Sequence, residues 1–114
     1  MRDDRERLLD VLEAITRIEK YAAKGRDVFD QEDWLQTWMV HHLQIIGEAV
    51  RKLSDSLKKQ HPEIPWDQII AMRNILVHDY FTVDLEEVWS AVEFDLPDLK
   101  IKIQALLTEA DKSQ

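Results

Sequence analysis

The sequence predicts an all-α protein: a single domain built as a four- or five-helix up-and-down bundle. Three observations carry this expectation. Apolar residues recur at three- and four-residue spacing along nearly the whole chain, the mark of amphipathic helices. Gly occurs twice and Pro three times in 114 residues, too few turn formers for an all-β fold. Hydrophobic residues make up 45% and charged residues 33%, which suits one compact core, and no repeat or linker divides the chain.

The first helix is expected from about Asp4 to Lys24. Leu8, Leu12, Ile15, Ile18 and Ala22 form one stripe, and Gly25 is placed to stop the helix because Gly tolerates a left-handed cap. A second, long helix is expected from Asp30, as N-cap, to about Lys59, with Phe29 and Trp34 as a hydrophobic staple. It would span about 40 Å at 1.5 Å per residue. It carries two stripes. Leu35, Met39, Ile46, Ala49, Leu53 and Leu57 form one; Trp34, Trp38, His41 and Ile45 form the other. Either neighbouring helices of the same chain cover both, or a second copy of the chain covers part. "HPEIPW" is a proline-bounded connection to a third helix that starts at about Trp66 and ends within residues 73–80. Asp84 and Glu87 then resemble a capping box, with Val83 and Val88 as its staple. The apolar spacing continues from Leu85 past Pro97 to Ala110. Proline removes one backbone hydrogen bond and crowds the preceding turn, so the final helical segment is expected to be kinked or broken near Asp95.

Composition bounds the function. The chain has no Cys, so disulfides and thiolate metal sites are excluded. No apolar run approaches the ~18 residues of a membrane span, and "MRDDRERLLD" is too charged for a signal peptide; the expectation is a cytoplasmic protein. The formal net charge is −8. A broad electrostatic grip on nucleic acid needs a basic face, so any nucleic-acid chemistry here must be local, using a few cations within a Debye length.

One stretch does not read as core. "RNILVHDY", residues 73–80, crowds an arginine, an asparagine, a histidine, an aspartate and a tyrosine around three aliphatic residues at the end of the third helix. Asn74 and His78 are four apart and share a helix face. Arg73 and His78 are five apart, about 140° around a regular helix. They converge only if the helix loosens, if the arginine wraps round, or if a second subunit takes part. Histidine titrates near neutrality and moves protons; arginine offers a fork of donors that matches phosphate. With the RNA 2′-hydroxyl as built-in nucleophile, the set suits transesterification without a metal. Such residues also simply cap helix ends.

"RNILVHDY" resembles the R-x(4–6)-H-x-Y motif of HepT-type toxins in the HEPN superfamily of helical ribonucleases. "IIGEAVRKLS", "PEIPWDQI", "VDLEEVW" and "LPDL" are similar to that family as well, so the resemblance covers nearly the whole chain. It implies a metal-independent endoribonuclease that needs no cofactor, with Arg73 and His78 as the active pair and Asn74 assisting. It implies a homodimer with two motifs lining a shared cleft. It also implies a type VII-like toxin–antitoxin pair, in which a minimal nucleotidyltransferase antitoxin transfers AMP to Tyr80. The rival reading is a non-catalytic helical module that binds nucleotides or a partner.

Other polar residues carry plainer readings. Glu48, mid-helix in "GEA", is either a solvated or salt-bridged position or a cleft residue that orients Arg73 or His78. Gly47 beside it reflects close approach of another helix, or tolerance. His41 and His42 point to different faces, and no further ligands for a metal stand at suitable spacing; they read as surface or core-edge residues. His61 reads as a loop residue. Lys58 and Lys59 sit at a helix C-terminus, where cations are favoured. Trp34, Trp38, Trp66 and Trp89 read as core or interface packing.

Overall fold

The computed structural model describes the backbone over residues 3–112, with side chains over the same span except for residue 80 and residues 110–112. Every regular element among the described residues is helical: α1 (Asp4–Ala22), α2 (Arg26–Gln31), α3 (Asp33–Arg51), α4 (Asp55–Gln60), α5 (Trp66–His78), a 3-10 turn (Tyr80–Thr82), α6 (Leu85–Ser90), a π-helical turn (Ala91–Asp95) and α7 (Leu96–Lys112). Since α6, the π turn and α7 follow without interruption, the bundle has six helices, one more than the expected upper count.

The extra helices come from the second predicted one, which is three pieces. The helix starts at Arg26, not Asp30, and Gly25 with φ +91° precedes it. α1 stops at Ala22 with the right-handed Ala23 as its cap, so Gly25 is not the left-handed cap expected; it opens α2 instead. Asp30 caps nothing; it lies inside α2, where its carboxylate meets Arg26 at 3.5 Å. No staple forms between Phe29, which is fully buried, and Trp34, which is exposed on α3. The far end breaks at Ser54. Its hydroxyl accepts from Leu57 N–H at 3.2 Å, and its own N–H and hydroxyl donate to the Asp4 carboxylate at 2.9 and 2.6 Å. A serine that caps a new helix and ties itself to the start of α1 outweighs continuation of the apolar stripe. The long central helix is therefore α3 alone, about 28 Å.

The core is one cluster. Leu8, Val11, Ile15 and Ile18 of α1 meet Leu35, Met39, Leu43, Ile46 and Val50 of α3, with Val88, Val92, Leu96, Leu99 and Ile103 closing the far side. The first predicted stripe of α3 is buried through Leu53. The second is covered only in part by this chain: Trp38 is half-buried, with its ring edge-on to Tyr21 and its Nε1 donating to the Arg17 carbonyl at 2.9 Å, while Trp34 is 48% and Ile45 36% exposed and His41 is exposed. At α6 Asp84 is the N-cap, its side chain accepting from Glu86 N–H at 2.9 Å, while the return bond from Glu87 that would complete a capping box is absent among the described residues.

The break near Pro97 takes the form of a widened turn. Leu96 N–H bonds the carbonyl of Ala91, five residues back. Pro97 has no N–H to give and its ring crowds the carbonyl four residues before it; the wide turn relieves both problems while Val92 and Leu96 stay buried. No helix among the described residues is long and apolar enough to cross a membrane.

Candidate active site

α3 packs against both α1 and α5, and the polar residues gather where the three meet. Gly47 sets the distance to α5. A Cβ added there would overlap the Cβ of Arg73 and lie 2.7 Å from its Cγ, so only glycine lets α5 come this close. The close-approach reading of Gly47 is thus the one the structure supports.

That contact lays the Arg73 side chain along α3, four-fifths covered. Its guanidinium is held at two corners. Nη2 meets Glu48 Oε2 at 3.0 Å, and Nη1 donates to Asn74 Oδ1 at 2.9 Å. Glu48 also accepts from Arg51 at 2.8 Å and meets Lys52 Nζ at 3.3 Å. The hydrogen bond from Arg51, with Lys52 and Arg73 alongside, holds the Glu48 carboxyl down to about 2. One carboxylate thus serves three cations, and the site keeps a local positive excess. Arg73 Nε is buried with no partner among the described residues.

An open pocket of about 410 Å³ lies over this group, lined by Arg73, Glu48, Lys52, Arg7, His41 and Gln44 among others. His78 is not among its lining residues. It is the last residue of α5 and is exposed, beyond the point where Gln44 Nε2 donates to the Leu76 carbonyl at 3.0 Å. Of the five residues singled out in the sequence, the fold brings Arg73, Asn74 and Glu48 into contact, while His78 stands one turn beyond Asn74 on α5 and bonds none of them among the described residues. Tyr80 begins the 3-10 turn directly after α5; its side chain lies outside the described residues. Thr82 fastens that turn, with its N–H and hydroxyl both donating to the Asp79 carbonyl at 2.9 Å.

The neighbouring histidines divide. His42 is 4% exposed and its Nδ1 donates to the Trp38 carbonyl at 2.8 Å; burial pushes its pKa below the ordinary value. His41 faces outward and lines the Arg73 pocket. Sequence reasoning missed His41 and Arg7 as pocket residues. The signal for His41 was its place two turns before Glu48 on one face of α3. Nothing in the charged run around Arg7 marked it out.

Known proteins resemble this chain over most of its length. The model of the ribonuclease HepT-like family matches residues 11–106. A "Probable ribonuclease HepT" of Thermococcus cleftensis is 38% identical over 110 residues, covering 92% of this chain and 96% of its own length. A Methanocaldococcus jannaschii protein whose name joins a gamma-glutamylcyclotransferase to an RNase is 37% identical over 105 residues; the match covers 91% of this chain but only 47% of that protein. A Caldanaerobacter subterraneus protein with an RNase name is 31% identical over 90 residues, 79% of this chain and 80% of its own length. No solved structure matches significantly. The helical bundle, the arginine fixed at the α3–α5 seam and a family match over most of the length lead to one conclusion: the chain belongs to the HepT-like ribonuclease family.

Proposed function

We propose that this protein is the toxin ribonuclease of a toxin–antitoxin pair and cleaves RNA by transesterification at Arg73 and His78, with no metal in the reaction. The observation that carries this reading is the fixing of the Arg73 guanidinium by Glu48 and Asn74 at the mouth of an open pocket. A guanidinium held at two corners is oriented before substrate arrives, and preorganised charge is what stabilises a phosphorane-like transition state. In the reaction the RNA 2′-oxygen attacks the adjacent phosphorus. The new P–O2′ bond forms as the P–O5′ bond breaks. His78 takes the 2′-hydroxyl proton and returns a proton to the 5′-oxygen, and Arg73 faces the non-bridging oxygens. The products are a 2′,3′-cyclic phosphate and a 5′-hydroxyl.

The working form is a homodimer. Arg73 lines the pocket and His78 does not, while Trp34, His41 and Ile45 stay open on α3. A second copy that covers this stripe brings two motifs to one cleft. Light scattering should give twice the chain mass at micromolar concentration; a monomer would remove the shared cleft.

The partner in this reading is a minimal nucleotidyltransferase antitoxin that places AMP on Tyr80. Tyr80 follows the end of α5 by one residue, so added phosphates would bring negative charge beside the residues that receive substrate phosphate.

The test is incubation of purified protein with RNA in EDTA. Cleavage to cyclic-phosphate ends that His78→Ala abolishes supports the enzyme. RNA binding with no cleavage would instead mark a binding module.

A further inference from the structure

We infer that Arg7 is a second phosphate-binding residue of this cleft and takes an RNA backbone phosphate neighbouring the one at Arg73. The inference rests on the RNA reading above for the ligand's identity, but its observations are separate. Arg7 lies on the first turns of α1, ahead of residues 11–106 that the family model matches, so the family motif does not supply it. It lines the same pocket as Arg73, with Lys52 and His41 between them on α3 and with Asp10 and Glu48 as the carboxylates.

The cations of this pocket are not equivalent. Arg73 and Lys52 both pair with Glu48. Arg7 forms no ion pair with any carboxylate among the described residues, although Asp10 stands one turn further along the same helix. Its Nε is buried without a hydrogen-bond partner, and so is that of Arg73. Buried donors on charged groups are ordinarily satisfied. Among the described residues, these two are the only buried side-chain nitrogen or oxygen atoms left without a partner, and both belong to guanidinium groups lining one pocket. The Nε atoms themselves have no surface for a ligand to touch, but the two guanidinium groups and Lys52 line one open pocket, a set that suits a ligand with several anionic acceptors. A phosphodiester chain supplies them, because each phosphate presents two oxygens to a guanidinium fork. Arg7 touches a phosphate that does not react, so its contribution falls on binding more than on the chemical step.

The experiment uses the full chain and a 2′-O-methyl RNA hexamer, which lacks the nucleophile and cannot be cut. Binding is followed by fluorescence anisotropy over a salt series. Arg7→Gln should weaken binding about ten-fold at low salt and reduce the slope of log K against log salt by about 0.7, the loss of one contact to a single strand. Arg7→Lys should keep most of the slope and recover part of the affinity. On cleavable RNA, Arg7→Gln should raise KM about ten-fold and move kcat much less. An unchanged affinity and slope would overturn the proposal, and so would a fall in kcat with KM unchanged. If wild type binds the hexamer through Arg7 but cuts no RNA, the phosphate site stands and the nuclease reading falls. If RNA is cut and Arg7→Gln changes nothing, the reverse holds. Should Arg7→Gln not fold, wild type decides: the Nε–H NMR signals of Arg7 and Arg73 must both shift on adding the hexamer, and a stationary Arg7 signal refutes the site.

Discussion

Gly47→Ala isolates the contact that places Arg73. In an ordinary helix interior, alanine in place of glycine stabilises by about 1 kcal/mol. Here the new methyl would overlap Arg73 Cβ, lie 2.7 Å from its Cγ and 3.4 Å from its Cα. These atoms sit at the base of the side chain, so no swing of the guanidinium relieves them; α5 itself must shift. Overpacking of this kind costs about 1–3 kcal/mol. The balance is a net loss of about 1 kcal/mol, a fall in Tm of about 4 °C, and an arginine displaced from Glu48. A displaced charge in a preorganised site costs about 100-fold in rate. Thermal melts and RNA cleavage should be measured beside Gly25→Ala. Gly25 has no atom within 4 Å of an added Cβ, but its φ of +91° strains any other residue. The control should lose about 1 kcal/mol and keep its activity. If Gly47→Ala melts higher than wild type and cleaves RNA normally, the α3–α5 seam does not position Arg73.

Three further outcomes follow from the site. Glu48 has a folded pKa of about 2 against an ordinary 4.5, so its pairing is fully present above pH 4.5 and is lost as pH falls toward 2; urea melts should show wild type losing about 1 kcal/mol more than Glu48→Gln between pH 5 and pH 2, a figure already reduced for solvent screening. Arg73→Lys should lose most RNA cleavage although the charge remains, because an ammonium cannot span Glu48, Asn74 and phosphate together; near-normal cleavage in a gel assay would reduce the arginine to a diffuse charge. Wild type co-expressed with a nucleotidyltransferase partner should gain about 329 Da per added AMP, while Tyr80→Phe should gain nothing by intact mass and remain active.

Much of this molecule is readable from spacing and punctuation. The start of α5, the Asp84 cap and the disturbance before Pro97 each follow from a local rule that the fold does not override. The long second helix shows where such reading stops. Its apolar stripe runs unbroken through Leu53 and Leu57, and periodicity alone cannot show that Ser54 bonds Asp4, fifty residues earlier. A partner so distant in sequence decides the break. The site divides in the same way. Arg73, Asn74 and His78 stand in one recognisable motif. Glu48 had two open readings, and the fold meets both, pairing it with Arg51 and Lys52 nearby in sequence and with Arg73 across the seam. Arg7 sits in a run of charges that look alike on paper; only the meeting of α1 with α3 and α5 separates it from Arg5.

The wide turn at Ala91–Asp95 also tells how this helix tolerates insertion. Val88 is buried before it, Val92 within it, and Leu96, Leu99 and Ile103 after it. In an unbroken α-helix the position two turns after Val88, about 20° from its direction, falls at residue 95, where this chain has an aspartate. The turn absorbs one surplus residue, so Asp95 stays outside and Leu96 takes the inward place. Removing the 66%-exposed Phe94 would shorten the helix to a regular one with the same apolar residues facing in. Loss of a single residue at this point therefore changes the surface and spares the core on both sides.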